Sequence, residues 1–403
     1  MSFSQAVSGL NAASSGLDSI GNNIANSATN GFKGAHASFA DMFAGSGVGL
    51  GVNVAAVSQN FKDGAITRTD RATDVAISGN GFFRLLDGNG DVVYSRDGEF
   101  HRDKSGNLVN NQGMMVTGFP AGQDASGNAT IQTGGIPQIL NIPTDMMDAK
   151  ASAKGELTIN LNSDDKAITA AFDADNPDTY NFSTTMTTYD SQGNTHEVAV
   201  YFIKTADNKW AVKAKDSSDK AAAVQDLGNM EFDGNGKLKG TADFKFNYTG
   251  LNGADNDTVD LSFNKTRQQK VTESSVSKID VDGYQSGEYT SFKIENDGTI
   301  TASYSNQQKR TVGKIALSSF ANNNGLASQG GNVWKATNTS GNPMDGVPGT
   351  GQFGNLTGGA VEASNVDMSQ ELINMIVMQR NYQSNSQTIK TQDQMLQTLV
   401  NLR

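Results

Sequence analysis

Seven apolar residues spaced along the first twenty-four constrain this chain most. Phe3, Ala6, Leu10, Ala13, Leu17, Ile20 and Ile24 recur at intervals of three and four. A period of 3.5 marks a helix that packs along another helix. A surface helix on a globular domain shows a wider apolar face. Asp18 is the only charge before Lys33, and Ser, Asn, Gln, Gly and Ala fill most other positions. That composition suits a helix set among polar neighbours. The run NNIANSATNGF then ends the helix, because Asn and Gly accept the left-handed backbone of a helix C-terminus.

A seam needs a partner, and the far end of the chain offers one. Residues 366–402 contain no Gly or Pro. Leu372, Met375, Tyr382, Ile389, Leu396 and Val400 form a similar stripe, interrupted by Gln379, Ser386 and Asp393. Asn365 or Asp367 is placed to cap this helix, and Glu371 lies where the macrodipole favours an anion. As one helix it would be about 55 Å long. The two stripes predict terminal helices that pair as a coiled coil. Periodicity alone leaves open whether the pair closes a domain or joins an assembly.

Charge separates these ends from the middle. Asp18 is the only charge in residues 1–32, and Asp367, Glu371 and Asp393 balance Arg380, Lys390 and Arg403 in residues 366–403. Nearly all of the net charge of −11 therefore lies between them. That balance argues against nucleic acid and against an anionic membrane surface as partners. No run reaches the length of a membrane span. The chain has no cysteine, which excludes disulfides, thiolate catalysis and thiolate metal sites. No basic segment followed by an apolar core marks a cleaved signal peptide at the start.

The middle is written in short strands and tight turns. DVAIS, GFFRLL, VVYS, EFHR and NLVNN are separated by GNG, DGNGD, RDGE and DKSGN, the pattern of an antiparallel sheet or barrel. The same grammar returns in YTSFKIENDGTITASY. Between them, from about residue 146 to residue 282, a Thr- and Val-rich stretch predicts a second all-β domain, inserted into the first. Residues Ser38 to Phe43 read as one or two helical turns, and VNVAAV as a strand. Gly45, Gly47, Gly49 and Gly51 read as a hinge and lack the spacing of a dinucleotide loop. The Gly-, Asn- and Ser-rich stretch from Gly325 to Gly359 reads as an extended connector.

Sites for chemistry do not emerge. His36, His101 and His196 are scattered and read as ordinary surface or strand residues. Asp87, Asn89 and Asp91 imitate a calcium loop. Val92 stands where that loop needs Gly, and Gly98 where it needs a bidentate Glu, so a hairpin turn explains them. No nucleophile elbow or carboxylate pair stands out. Trp210 and Trp334 are too few for an aromatic binding track. No enzyme, metal or cofactor is expected.

Two terminal segments then supply a resemblance. SGLNAASSGLDSIGNNIANSATNGFK resembles the signature of the axial proteins of the bacterial flagellum, the rod and hook family. Asn23, Ile24, Ala25, Asn26, Ser27, Thr29, Gly31 and Phe32 form its core. EASNVDMSQELINMIVMQRNYQSNSQTIKTQDQMLQTLVNLR resembles the matching C-terminal end. DVAISGNGFFRL and SRDGEFHRDKSGNLVN are similar to the first β domain of hook and distal rod members, and the length favours hook over rod. Residues 146–282 carry the resemblance least.

The resemblance implies a multidomain layout. Residues 1–24 and 361–403 form core helices. Residues 25–71 connect, residues 72–145 with 283–360 form a discontinuous β domain, and residues 146–282 form an outer one inserted in it. It implies a hollow extracellular helical polymer that transmits torque as a universal joint, with glycine-rich stretches giving compliance. Its subunits leave by the flagellar type III export apparatus. Its partners are further copies of itself, the distal rod protein, the hook cap and the hook–filament junction protein. Phe3, Leu10, Leu17, Ile20, Ile24, Leu372, Met375, Tyr382, Ile389 and Leu396 would form the polymerisation seam. A distal rod protein, or a secreted β-rich adhesin, is the alternative.

Overall fold

In the computed structural model, residues 2–42, 49–123 and 129–401 are described. The chain forms two units. The first comprises Met1–Pro143, Ser291–Ser303 and Lys309–Arg403; the second comprises Thr144–Thr290 and Tyr304–Gln308.

The first unit begins with helix α1, Ser2–Ala25, and its last element is helix α2, Met368–Asn401. The α1 ladder ends where Asn26 N–H is shared between the carbonyls of Asn22 and Asn23, the three-centre bond common at helix termini. Asp367 caps α2, its Oδ1 accepting from the backbone N–H groups of Ser369 and Gln370. Asn365 is used elsewhere.

After α1 the chain makes an antiparallel hairpin of β1, Ala35–Met42, and β2, Gly51–Gln59. This corrects the helical reading of residues from Ser38. A six-residue helical segment is marginal alone, and Val52, Val54 and Val57 on β2 offer a full ladder instead. Phe43, Gly45 and Gly47 lie outside the described residues, so the hinge reading falls mostly there. Gly51 is described. It opens β2 at φ 124° directly against Ser8 of α1, where a side chain would collide. Ser8 Oγ accepts from Val52 N–H at 3.2 Å.

The sheet of this unit is antiparallel. Its central strands run in the order Lys309–Ile315, Met115–Gln123, Phe82–Leu86, Val92–Ser95, Val333–Lys335, Ala327–Gly330. Phe82, Tyr94, Phe320 and Trp334 pack edge to face in its core. Trp334 donates its indole N–H to Gln59 Oε1 at 2.6 Å. The stretch from Gly325 to Gly359 is therefore no extended connector. It contributes four strands and a core tryptophan. Its glycines and asparagines serve turns, with Asn332 at φ 58°.

The second unit packs two sheets. Phe182–Tyr189, Thr195–Ala206, Lys209–Asp216 and Gln225–Glu231 form an antiparallel meander. Lys154–Asn162 centres the other sheet, parallel to Asp257–Ser262 and Arg267–Gln269 and antiparallel to Ser275–Val281. Alternate residues of Lys154–Asn162 and Lys209–Asp216 point inward, the period of two that a half-buried strand requires. Leu157, Ile159, Val200, Phe202, Trp210 and Phe246 are fully enclosed.

Candidate functional site: the terminal helices and their root

The two terminal helices lie side by side and antiparallel. Gly9 faces Asn385, Gly16 faces Met378, and Asn23 Nδ2 donates to Glu371 Oε1 at 3.3 Å. These contacts fall seven residues apart on both helices. Gly9, Gly16 and Asn23 thus lie on the side of α1 that meets α2. Small residues let the backbones approach: a methyl group on Gly9 would come within 2.8 Å of the Asn385 amide.

The expected seam is offset from this row. Leu10, Leu17 and Ile24 each sit one residue beyond a contact position, about 100° round the helix. They are half-buried, and Phe3 is 50% exposed, whereas Ala6, Ala13 and Ile20 are buried. On α2, Met375 and Ile389 are half-buried, but Leu372, Tyr382, Leu396 and Val400 are exposed. The stripes are thus covered unevenly within one chain. Apolar periodicity is blind to Gly, Asn and Glu, which take part in the contact.

At the root of the pair, the family-motif residues hold the chain's reversal. Asn23 Oδ1 accepts from Ala35 N–H and its Nδ2 donates to Ala35 O, both at 2.8 Å. Asn26 Oδ1 accepts from the Thr29 hydroxyl at 3.2 Å. Gly31, at φ 69°, donates its N–H to Glu362 O at 2.7 Å. A Cβ there would lie 2.6 Å from the backbone nitrogen of Asp97, so only glycine fits. Phe32 is buried.

Behind Phe32 lies a buried ionic cluster that the sequence reading missed. Glu362 Oε1 accepts from Lys33 Nζ at 2.6 Å and from Gly64 N–H at 2.8 Å. Its Oε2 accepts from Arg96 at 3.2 Å. Arg96 also reaches Asp63 Oδ1 and Gly79 O, and its guanidinium lies over the Phe82 ring. Lys33, Arg96 and Glu362 are each about 1% exposed. Burial pulls the Lys33 pKa below the usual lysine value, against the opposing pull of Glu362. Asn365 completes the root, accepting from Gly34 N–H and donating to the carbonyls of Asn60 and Lys62. The signal existed: Lys33 closes the N-terminal motif, and Glu362 opens the C-terminal one. Nearby, burial and then the Glu99 and Asp74 charges push Asp97 up to about 6, against a hydrogen bond from Glu99 N–H.

Other candidates resolve into structure. Asp87 Oδ1 accepts from Asn89 and Asp91 N–H in a hairpin turn. His36 and His101 are exposed. His196 lies on the strand Thr195–Ala206 and is wholly buried in the second unit between Asp216, 2.5 Å from Nδ1, and Asp190, 3.4 Å from Nε2. Among the described residues, no cluster of His, Asp and Glu fit to hold a metal ion occurs, and no helix is long and apolar enough to cross a membrane.

The chain thus carries an antiparallel terminal pair rooted in a β unit and a second β unit, and its class is that of the flagellar axial proteins. Its parts match four family profiles. These are the flagella basal body rod protein over residues 4–33, the flagellar hook protein FlgE/F/G D1 domain over 76–159, the flagellar basal body protein FlaE D2 domain over 160–284, and the flagellar basal body rod FlgEFG protein C-terminal region over 357–402. The flagellar hook protein FlgE of Escherichia coli is 54% identical over 405 residues, covering all of both chains. That of Borreliella burgdorferi is 33% identical, covering 98% of each. The crystal structure of Helicobacter pylori flagellar hook protein FlgE2 has the same fold, with a TM-score of 0.55 at 17% identity, covering 74% of this chain and all of that one. The chain belongs to the flagellar hook protein family. It is a hook structural subunit, and no enzyme family is indicated.

Proposed function

We propose that the chain polymerises through its paired terminal helices into a hollow, curved helical tube. The tube works as a universal joint carrying torque from the rod to the filament. In this reading the pair is a coiled coil. Phe3, Leu10, Leu17, Ile20 and Ile24, with Leu372, Met375, Tyr382, Ile389 and Leu396, form the polymerisation seam. The second β unit is an outer domain inserted in the first, and residues 25–71 connect tube to β domain. The subunit is exported by the flagellar type III apparatus without a cleaved signal peptide. It meets the distal rod protein, the hook cap and the hook–filament junction protein at the ends of the tube.

One observation carries this reading. No described residue of α2 is buried, although Leu372, Ile373, Ile376 and Val377 follow closely in sequence. A helix segment that is apolar all round belongs in an interior. Within one chain these side chains stay exposed, which supports further copies as their cover. Electron microscopy of the purified protein with and without residues 1–24 tests it. Curved tubes from the full chain and none from the truncated chain are expected. Polymers from the truncated chain overturn the role of the helices, and straight rods overturn the joint.

A further inference from the structure

Asparagine followed by glycine occurs six times, at Asn30, Asn80, Asn89, Asn235, Asn252 and Asn324. Asparagine is a thermolabile side chain, and a following glycine puts no Cβ in the way of its own backbone nitrogen. Loss of the side-chain amide needs the peptide group between the two residues to turn until that nitrogen meets Cγ. The fold restrains five of the six. The glycine N–H donates to Glu362 O after Asn30, and to Asp87 O, Asp233 O and Asn322 O after Asn89, Asn235 and Asn324. At Asn80 the carbonyl is held instead, accepting from Gly354 N–H at 2.7 Å. The pair at Asn252 differs. Among the described residues, neither the Asn252 carbonyl nor the Gly253 N–H has a hydrogen-bond partner. Both residues are exposed, with φ 54° and 89°, at the tip of the tight turn that Asn-Gly favours. Nothing lies within 4 Å of where a Gly253 Cβ would stand.

We infer that Asn252 is a site of self-modification, deamidating with water as the one co-reactant. The Gly253 nitrogen attacks Asn252 Cγ, a reaction between groups already held side by side. The Cγ–Nδ2 bond breaks, and the amide leaves as ammonia with the proton that Gly253 gives up. Water then opens the five-membered imide at either carbonyl. The product is aspartate or isoaspartate, with one new negative charge. Its neighbours give the change a consequence. Asn252 Nδ2 donates to Asn194 Oδ1 at 3.1 Å, and that bond is lost, leaving a carboxylate beside the same oxygen. Asn194 Nδ2 and Leu251 N–H both donate to Asp190 Oδ2, which also meets the buried His196. The modification therefore loosens the cover over the His196 cluster of the second unit.

Cleavage after Lys and Arg puts the six pairs in six different peptides, with Asn252 in residues 246–265, so each pair reports separately. The full chain is aged in warm, mildly alkaline buffer, once native and once in urea, then digested and read by mass spectrometry with fragmentation to place the site. Each hydrogen bond that must break slows the turn by about two- to tenfold. In the native chain, Asn252 should therefore convert faster than each other pair by at least that factor. In urea the six should convert alike. A native chain in which another pair leads, or in which all six keep pace, overturns the assignment. So does a native Asn252 that stays intact while its counterpart in urea converts. Asn252→Asp tests the consequence by amide exchange. Exchange should quicken at Leu251 and Asn194, and exchange equal to that of the parent chain overturns the loosening.

Discussion

The second β unit and the terminal helical pair stabilise themselves in opposite ways. In the second unit, Trp210 is fully enclosed and donates its indole N–H to Gln268 Oε1 at 2.7 Å. Leucine, isoleucine, valine and phenylalanine surround it with no polar atom to satisfy. In the helical pair, glycine, alanine and asparagine make up most of the buried side of α1, with Ile20, while Phe3, Leu372, Ile373, Ile376 and Leu396 stay exposed. A unit of the first kind is complete in one chain. A pair of the second kind is a half-built interior. The same apolar chemistry serves folding in one place and association in the other.

The largest break in this comparison comes from the helices. Leu17→Asp puts a charge on the outward row. It should reduce polymer by orders of magnitude, because a buried unpaired carboxylate costs several kcal/mol at every repeat. Thermal unfolding of the β units should be unchanged. A polymer from this variant, seen by electron microscopy, would show that the row is not a contact. The converse is Trp210→Ala, expected to destabilise the second unit by about 3–5 kcal/mol, read by denaturant titration.

A substitution at the root tests whether the helices and the first unit are coupled. Glu362→Gln leaves Lys33 and Arg96 buried without their shared carboxylate, at a cost of about 3–5 kcal/mol. Amide exchange should accelerate at residues 31–34 and 62–64 and leave the second unit unchanged. Exchange that rises equally in both units would refute a local clasp.

The smallest effect is a pH dependence. Asp97 holds its proton more tightly folded than unfolded, with a folded value of about 6. Its favourable contribution is therefore complete below the ordinary aspartate value of about 4. It is lost as pH rises from there through about 6. Asp97→Asn keeps the acceptor for Glu99 N–H and removes the charge. Stability of the first unit at pH 7 should rise by about 1–2 kcal/mol, and its pH slope between about 4 and 6 should flatten. A slope equal to that of the parent chain would assign it to other carboxylates.

Much of this architecture could be read from residue order, for identifiable reasons. Both helices follow from period and caps, and the β strands follow from alternation and Asx turns. What escaped were features without an apolar signature. The α1–α2 contact depends on Gly9 and Gly16, which count for nothing on a hydrophobic scale yet decide how near two backbones come. The stretch from Gly325 to Gly359 looked like a connector because turn residues outnumber its strand residues, although Trp334 anchors it. Lys33, Arg96, Glu362 and His196 are charged or titratable side chains placed in an interior, against the average habit of their types. Only three-dimensional partners reveal that.

The Lys33–Glu362 contact joins residues 329 positions apart. Everything from residue 34 to residue 361 is thereby a closed loop gathered at its neck. A pull that separates one terminal helix from the other is borne at this neck and need not run through the β units. Load passed from one terminal helix to the other thus stays at the neck, and the residues between 34 and 361 need not be drawn out by it.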